Sequence, residues 1–237
     1  MSADDSQTPQ TPPPPAEQVP LAGSAVEGVK MVLTVALFTL LSGALLGFVY
    51  RQAKPRIDAA KAPEKVAALA NILPAFDNAI LGTRACAEPD GAPLDDGCRK
   101  SMYTATQDGR PVGYALETFT TQGYGARIDL LVGCSADFAV TGVYVLSHQE
   151  TPGLGAKIVD GQKDWKNPAA LAAPGRPFLL QFAGRRLGDF DFRVKKDGGR
   201  VDAITASTIS SRAVAGAVEE ALTLLRDRAT GGCGGTR

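Results

Sequence analysis

Residues 31–50 read MVLTVALFTLLSGALLGFVY, twenty positions without a charge, bounded by Lys30 and Arg51. At about 1.5 Å of helical rise per residue, such a run spans roughly 30 Å, the thickness of a bilayer's hydrocarbon core. An uncleaved transmembrane anchor fits it better than a cleaved signal peptide. A charged leader is almost absent, the run exceeds a usual signal core, and no clear A-x-A site follows. A buried soluble helix would normally keep a polar stripe. Beyond the run, Val66, Leu69, Ala70 and Leu73 recur at helical spacing and predict a helix over 57–73, ended by Pro74.

The period then changes. Residues 111–119 (PVGYALETF), 126–133 (ARIDLLVG) and 138–147 (FAVTGVYVLS) are short runs rich in β-branched and aromatic residues, separated by turn formers. They read as consecutive strands of an antiparallel sheet, with further strands expected at 178–182 and 190–194. A closing helix is predicted over 211–228. Its apolar positions Val214, Ala217, Val218, Ala221, Leu222 and Leu225 share one face, and Gly231 and Gly232 follow as a stop. The expected class is α+β: a single transmembrane helix (30–51), then one domain (52–228) with a mainly antiparallel sheet and flanking helices. A disordered arm (1–29) holding six of the sixteen prolines precedes them, and a flexible tail (229–237) ends the chain.

Composition narrows the chemistry. With 25 basic and 25 acidic side chains, the chain lacks the excess charge of a surface that binds nucleic acid by bulk electrostatics. One histidine cannot build a multi-histidine metal site. Four cysteines without a C-x-x-C pair give neither a zinc knuckle nor a haem attachment, and no metal site is expected. Cys86 and Cys98 flank a polar loop whose composition suits a small disulfide-closed ring in an oxidising compartment, with two free surface thiols as the alternative, since spacing alone does not prove a bond. Cys134, inside a predicted strand, reads as a small core residue. Basic residues cluster after the apolar run, which by the positive-inside rule places the following domain in the cytoplasm, against the disulfide reading.

Two segments carry candidate chemistry. Residues 147–155 (SHQETPGLG) end a predicted strand in a Pro-Gly turn, which brings backbone amides and the Glu150 carboxylate to a rim; an ordinary strand-ending turn fits as well. His148 has no nucleophile at a recognisable spacing, so a hydrolytic triad has no support. Residues 195–200 (KKDGGR) lead into 201–211 (VDAITASTISS), where Thr205, Ser207, Thr208, Ser210 and Ser211 crowd the approach to a helix N-terminus. Capping needs one hydroxyl, supplied by Ser210 or Ser211. The surplus suits a phosphate at the helix end, with neighbouring lysines adding charge.

Taken together and in order, HQETPGLGAKI (148–158), VKKDGG (194–199) and DAITASTISSRAVAGAVEEAL (202–222) closely resemble the FMN-binding G subunit of the Rnf electron-transport complex. The related C subunit of the sodium-pumping NADH:quinone oxidoreductase shares the flavin motif. The resemblance implies FMN joined by a phosphoester to the final threonine of a D-x-x-[ST]-G-A-T pattern, here Thr208, with Asp202, Thr205 and Ser207 in the pattern and Lys196 beside it. Ala206 replaces the pattern's glycine and Ser207 its alanine. It also implies that Glu150, Thr151, Gly153 and Leu154 lie near the flavin and that the domain is extracytoplasmic, the side to which a Cys86–Cys98 pair also points. The domain would face the periplasm from a single pass in the bacterial inner membrane. The implied partners are the other subunits of the complex and a flavin transferase, with no substrate turnover of the chain's own. A cofactor-free anchored assembly module is the alternative, supported by Ala206 and Ser207.

Overall fold

The computed structural model describes residues 25–89 and 98–231. The proline-rich arm up to residue 24, the loop 90–97 and the tail with Cys233 lie outside the described residues. Two compact units, Met1–Ile57 and Asp58–Arg237, divide the chain. Helix α1 (Ala25–Ile72) begins in the first. There Leu33, Leu37, Phe38, Leu41 and Leu45 are all exposed, so apolar side chains surround the helix on every side. That distribution suits lipid rather than a protein core. Thr34 and Thr39 donate to the Lys30 and Val35 carbonyls at 2.8 and 3.0 Å, so their hydroxyls are satisfied inside the helix. Among the described residues this is the one helix long and apolar enough to cross a membrane.

The second unit is built on a five-stranded antiparallel meander, β1 (Ala85–Pro89), β2 (Cys98–Gln107), β3 (Arg110–Gly123), β4 (Ala126–Ser135) and β5 (Val140–His148), in that spatial order. Side chains alternate between the faces of a strand, and the register assigns a helix to each. Ser101 faces Glu117, which faces Leu131. On that side the Asp58–Ile72 part of α1 packs: Lys65 pairs with Glu117 at 2.9 Å, and a Cβ on Gly133 would meet the Ile72 carbonyl at 2.9 Å. Lys100, one position on, points to the other side and meets Glu220 of α3 (Thr208–Ala229) at 2.5 Å. Leu130, Leu131 and Val132 are consequently all fully buried, since both faces of β4 are covered.

After β5 the chain runs through a 3₁₀ turn (Gly155–Val159) and a short helix α2 (Pro168–Ala172) capped by the Asn167 side chain. These pieces lean on β5: the Trp165 indole donates to the Val143 carbonyl at 2.9 Å, and Val140 exchanges backbone bonds with Gly184 and Arg185. The β5 edge of the meander is thereby covered at Val140 and Val143.

Several expectations need correction. Residues 178–182 form a 3₁₀ turn, not a strand; Phe178, Leu179, Leu180 and Phe182 are all buried, and a run buried on every side carries no period to separate the two. Residues 190–194 contribute a single parallel bridge, Val194 to Val201. The helix predicted over 57–73 is the end of α1, and Phe138 belongs to the turn before β5, with φ +60°. Strands β1 and β2 are not among the predicted set.

Candidate functional site

Helix α3 begins after a turn at 204–207, closed by the Ser207 N–H to the Ile204 carbonyl at 3.0 Å. Ala206 sits in that turn at φ +62°, a left-handed conformation that glycine adopts freely and other L-residues only at a cost of about 1 kcal/mol. The position where the FMN motif carries glycine is therefore one whose backbone calls for it.

Ser207 occupies the N-cap position, yet its side chain caps no helix amide. Its hydroxyl donates to Ser210 Oγ at 3.0 Å, and Ser210 Oγ donates to Glu150 Oε2 at 2.5 Å. Glu150 is only 5% exposed, and its Oε1 accepts the Gly125 N–H at 3.0 Å. Close-packed glycines wall this carboxylate: a Cβ on Gly155 would meet Oε2 at 2.5 Å, and one on Gly123 would meet Oε1 at 2.6 Å. The turn at 151–154 holds Glu150 at the socket, closed by Leu154 N–H to the Thr151 carbonyl, with Gly153 at φ +77°. Thr151, Gly153 and Leu154 thus surround the socket without touching its carboxylate through a side-chain hydrogen bond.

Capping by Ser210 or Ser211 does not occur. Ser211 Oγ accepts the Ile204 N–H and donates to the Ser207 carbonyl, both at 2.9 Å, so it staples the turn to the helix. Of the five hydroxyls, Ser207, Ser210 and Ser211 are buried and committed inside the protein, whereas Thr205 is exposed and Thr208 half-exposed. The surplus read from the sequence is mostly structural, and it leaves Thr208 facing outward.

Lys196 reaches that threonine. The 3₁₀ turn Lys195–Asp197 is clamped to α3 by Arg212, whose guanidinium donates to both Asp197 oxygens at 2.6 and 2.8 Å. This bond holds the Asp197 carboxyl below its ordinary range. The clamp sets Lys196 Nζ 3.2 Å from Thr208 Oγ1. Asp202 is not drawn into this group; its carboxylate pairs with Lys195 at 2.6 Å.

Two residues absent from the sequence-based site, Tyr124 and Ile209, join Leu154, which belongs to it. Tyr124, Leu154 and Ile209 are the large apolar side chains that stand exposed beyond α1 among the described residues, at 71, 45 and 48%. Each adjoins a residue that touches Glu150, namely Gly125, Gly155 and Ser210. Three exposed apolar residues are thus immediate chain neighbours of the residues that hold the carboxylate. A single sequence offered no pairing signal for Ser210, since its partner lies sixty positions away.

The buried carboxylate, the threonine at a helix start and the glycine-rich turn all fall within residues 123–223, which match the family model of the FMN-binding domain. The same chain is 34% identical over 199 residues to the G subunit of the ion-translocating oxidoreductase complex of Pasteurella multocida, covering 81% of this chain and 91% of that one. It is 36% identical over 198 residues to the G subunit of Cereibacter sphaeroides, covering 81% of each. Over 194 residues it is 34% identical to that of Escherichia coli O157:H7, covering 80% of this chain and 86% of the relative. The chain belongs to the family formed by the G subunits of ion-translocating oxidoreductase complexes.

Proposed function

We propose that this chain is an electron-carrying subunit of a membrane-bound Rnf-type ferredoxin:NAD oxidoreductase complex, relaying electrons through FMN held by a phosphoester to Thr208 in support of ion translocation. The observation that carries this reading is the setting of Thr208: an outward hydroxyl in the first turn of α3, 3.2 Å from the Lys196 ammonium. A phosphate there gains from the helix dipole and from a cation. The donor set therefore fits a phosphoester, and exposed Tyr124, Leu154 and Ile209 offer apolar surface to a flat, largely apolar ring.

FMN supplies the electron transfer when bound, and the protein supplies position and surroundings. Thr208 would hold the phosphate and Lys196 would balance its charge. Glu150, fixed by Ser210 and Gly125, would place a buried negative charge beside the ring, which disfavours added electrons and lowers the potential. The chain's partners in this reading are the other subunits of the complex and a flavin transferase that attaches the FMN.

The domain would face the periplasm, with the anchor in the inner membrane. The Cys86–Cys98 disulfide supports that side, because such bonds persist in oxidising compartments. Ala206, strained where the motif carries glycine, favours the second reading of a cofactor-free assembly module.

One experiment separates the two. The full chain is purified from membranes with its flavin transferase, denatured, and examined by in-gel fluorescence and peptide mass, alongside Thr208→Ala. Fluorescence that survives denaturation, maps to the Thr208 peptide and vanishes in the variant is the expected result; an unmodified peptide would leave the assembly module.

A further inference from the structure

A groove of about 360 Å³ opens beside Asp202, which lines it together with Arg176, Arg185, Arg200, Gln181 and Phe190. Three guanidinium groups sharing one small concavity repel one another unless an anion joins them. Among the described residues none of the three has a carboxylate within ion-pair distance. The acid in the lining, Asp202, is already neutralised by Lys195 at 2.6 Å. The lining therefore sets three guanidinium charges against the one carboxylate that Lys195 already pairs, with Asp191 acting on Arg200 from outside it.

The wall is built rather than loose. Gln181 exchanges two hydrogen bonds with the Asp202 backbone, accepting its N–H at 2.8 Å and donating to its carbonyl at 3.0 Å. Arg185 lies over the Phe190 ring, 4.7 Å from its centroid, with Nε donating to the Gln181 carbonyl. Arg176 donates one nitrogen to the Leu171 carbonyl at 3.2 Å. Arg176 and Arg185 are half-buried, so each is held at its stem while N–H donors remain for a ligand.

We propose that this groove binds the phosphate group of a small molecule, either a nucleotide monophosphate or the free anion, through Arg176, Arg185 and Arg200. A carboxylate brings one charge and is met by a single guanidinium fork, whereas a phosphate near neutral pH brings up to two charges and three oxygens that several forks share. The volume lies in the range of small-ligand pockets and is enough for a nucleotide. Neither Thr208 nor Lys196 is in its lining, and the proposal does not depend on FMN being attached.

The test uses the full-length Thr208→Ala chain in detergent, which has no acceptor for a phosphoester at that position, so the two readings fail independently. Titration calorimetry measures AMP, inorganic phosphate and glutarate at fixed ionic strength. Saturable binding of AMP or phosphate with Kd below about 1 mM is expected, together with weaker glutarate binding. Arg176→Ala and Arg200→Ala should each weaken it about tenfold, the loss of one charged hydrogen-bond partner, and Arg200→Lys should weaken it less. Trp165 fluorescence checks that each variant is folded. AMP binding tighter than phosphate identifies a nucleotide; equal affinities identify the free anion. No saturable binding, binding untouched by the arginine changes in folded protein, or glutarate binding as tightly as phosphate would overturn the proposal.

Discussion

Ser210 Oγ donates a 2.5 Å hydrogen bond to Glu150 Oε2, joining the rim after β5 to the first turn of α3 across sixty positions of sequence. The carboxylate is buried, so removing either partner strands a polar group away from water. Glu150→Ala, which orphans both the Ser210 hydroxyl and the Gly125 amide, should cost about 1–3 kcal/mol. Ser210→Ala should cost a similar amount, while Thr151→Ala on the exposed turn should cost little. The single tryptophan, Trp165, is buried and makes denaturant unfolding readable by fluorescence.

Ala206→Gly should stabilise the domain. Alanine holds φ +62° there, and glycine removes a strain of about 1 kcal/mol, partly offset by its greater freedom in the unfolded chain. An unfolding midpoint that rises relative to the parent, with flavin attachment at least as fast, is the expected outcome.

Cys134 predicts a pH dependence on the alkaline side. Burial in β4 pushes its thiol from the ordinary 9.0 up to about 12. Between those values the unfolded chain loses the proton while the folded chain keeps it. The fold binds more protons over that window, so stability is complete below about pH 9 and falls as pH rises toward about 12. Cys134→Ala should flatten that part of the stability-against-pH curve, and alkylation of Cys134 in the parent should require unfolding.

Reduction of the Cys86–Cys98 bond, whose Cα atoms lie 5.5 Å apart, should lower stability by about 3 kcal/mol, the loop-closure value for a ring of this size. Peptide mapping after alkylation without reductant should leave both cysteines unlabelled, and labelling of either would remove the bond.

Legibility in the sequence followed the physics of each segment. Strands β3, β4 and β5 were readable because apolar β-formers are broken by Gln122, Gly123, Gly125 and Ser135. Strand β2 hid because it buries Lys100 and Ser101, whose polarity is met by Glu220 and Arg84 from other elements. Helix α3 was readable from its apolar face, but its start lies three residues earlier than the hydroxyl pattern suggested, since Ser210 and Ser211 serve as internal ties. Glu150, Thr208 and Lys196 could be named from their local motifs. Of the exposed apolar residues Leu154 could be named in the same way, whereas Tyr124, Ile209 and the arginine groove could not, because no local motif marks them.

The meander pairs every strand with the one synthesised just before it, so the sheet can zip along the chain through short loops with little entropy lost at each step. Helix α3 comes last and brings Thr208, Ser210, Arg212 and Glu220 to partners made earlier, at Lys196, Glu150, Asp197 and Lys100. Thr208 thus reaches its final surroundings in the same event that completes the domain. Any enzyme that reads those surroundings before acting on the threonine is given an inspection step for free: a chain that has not finished folding does not yet display the mark.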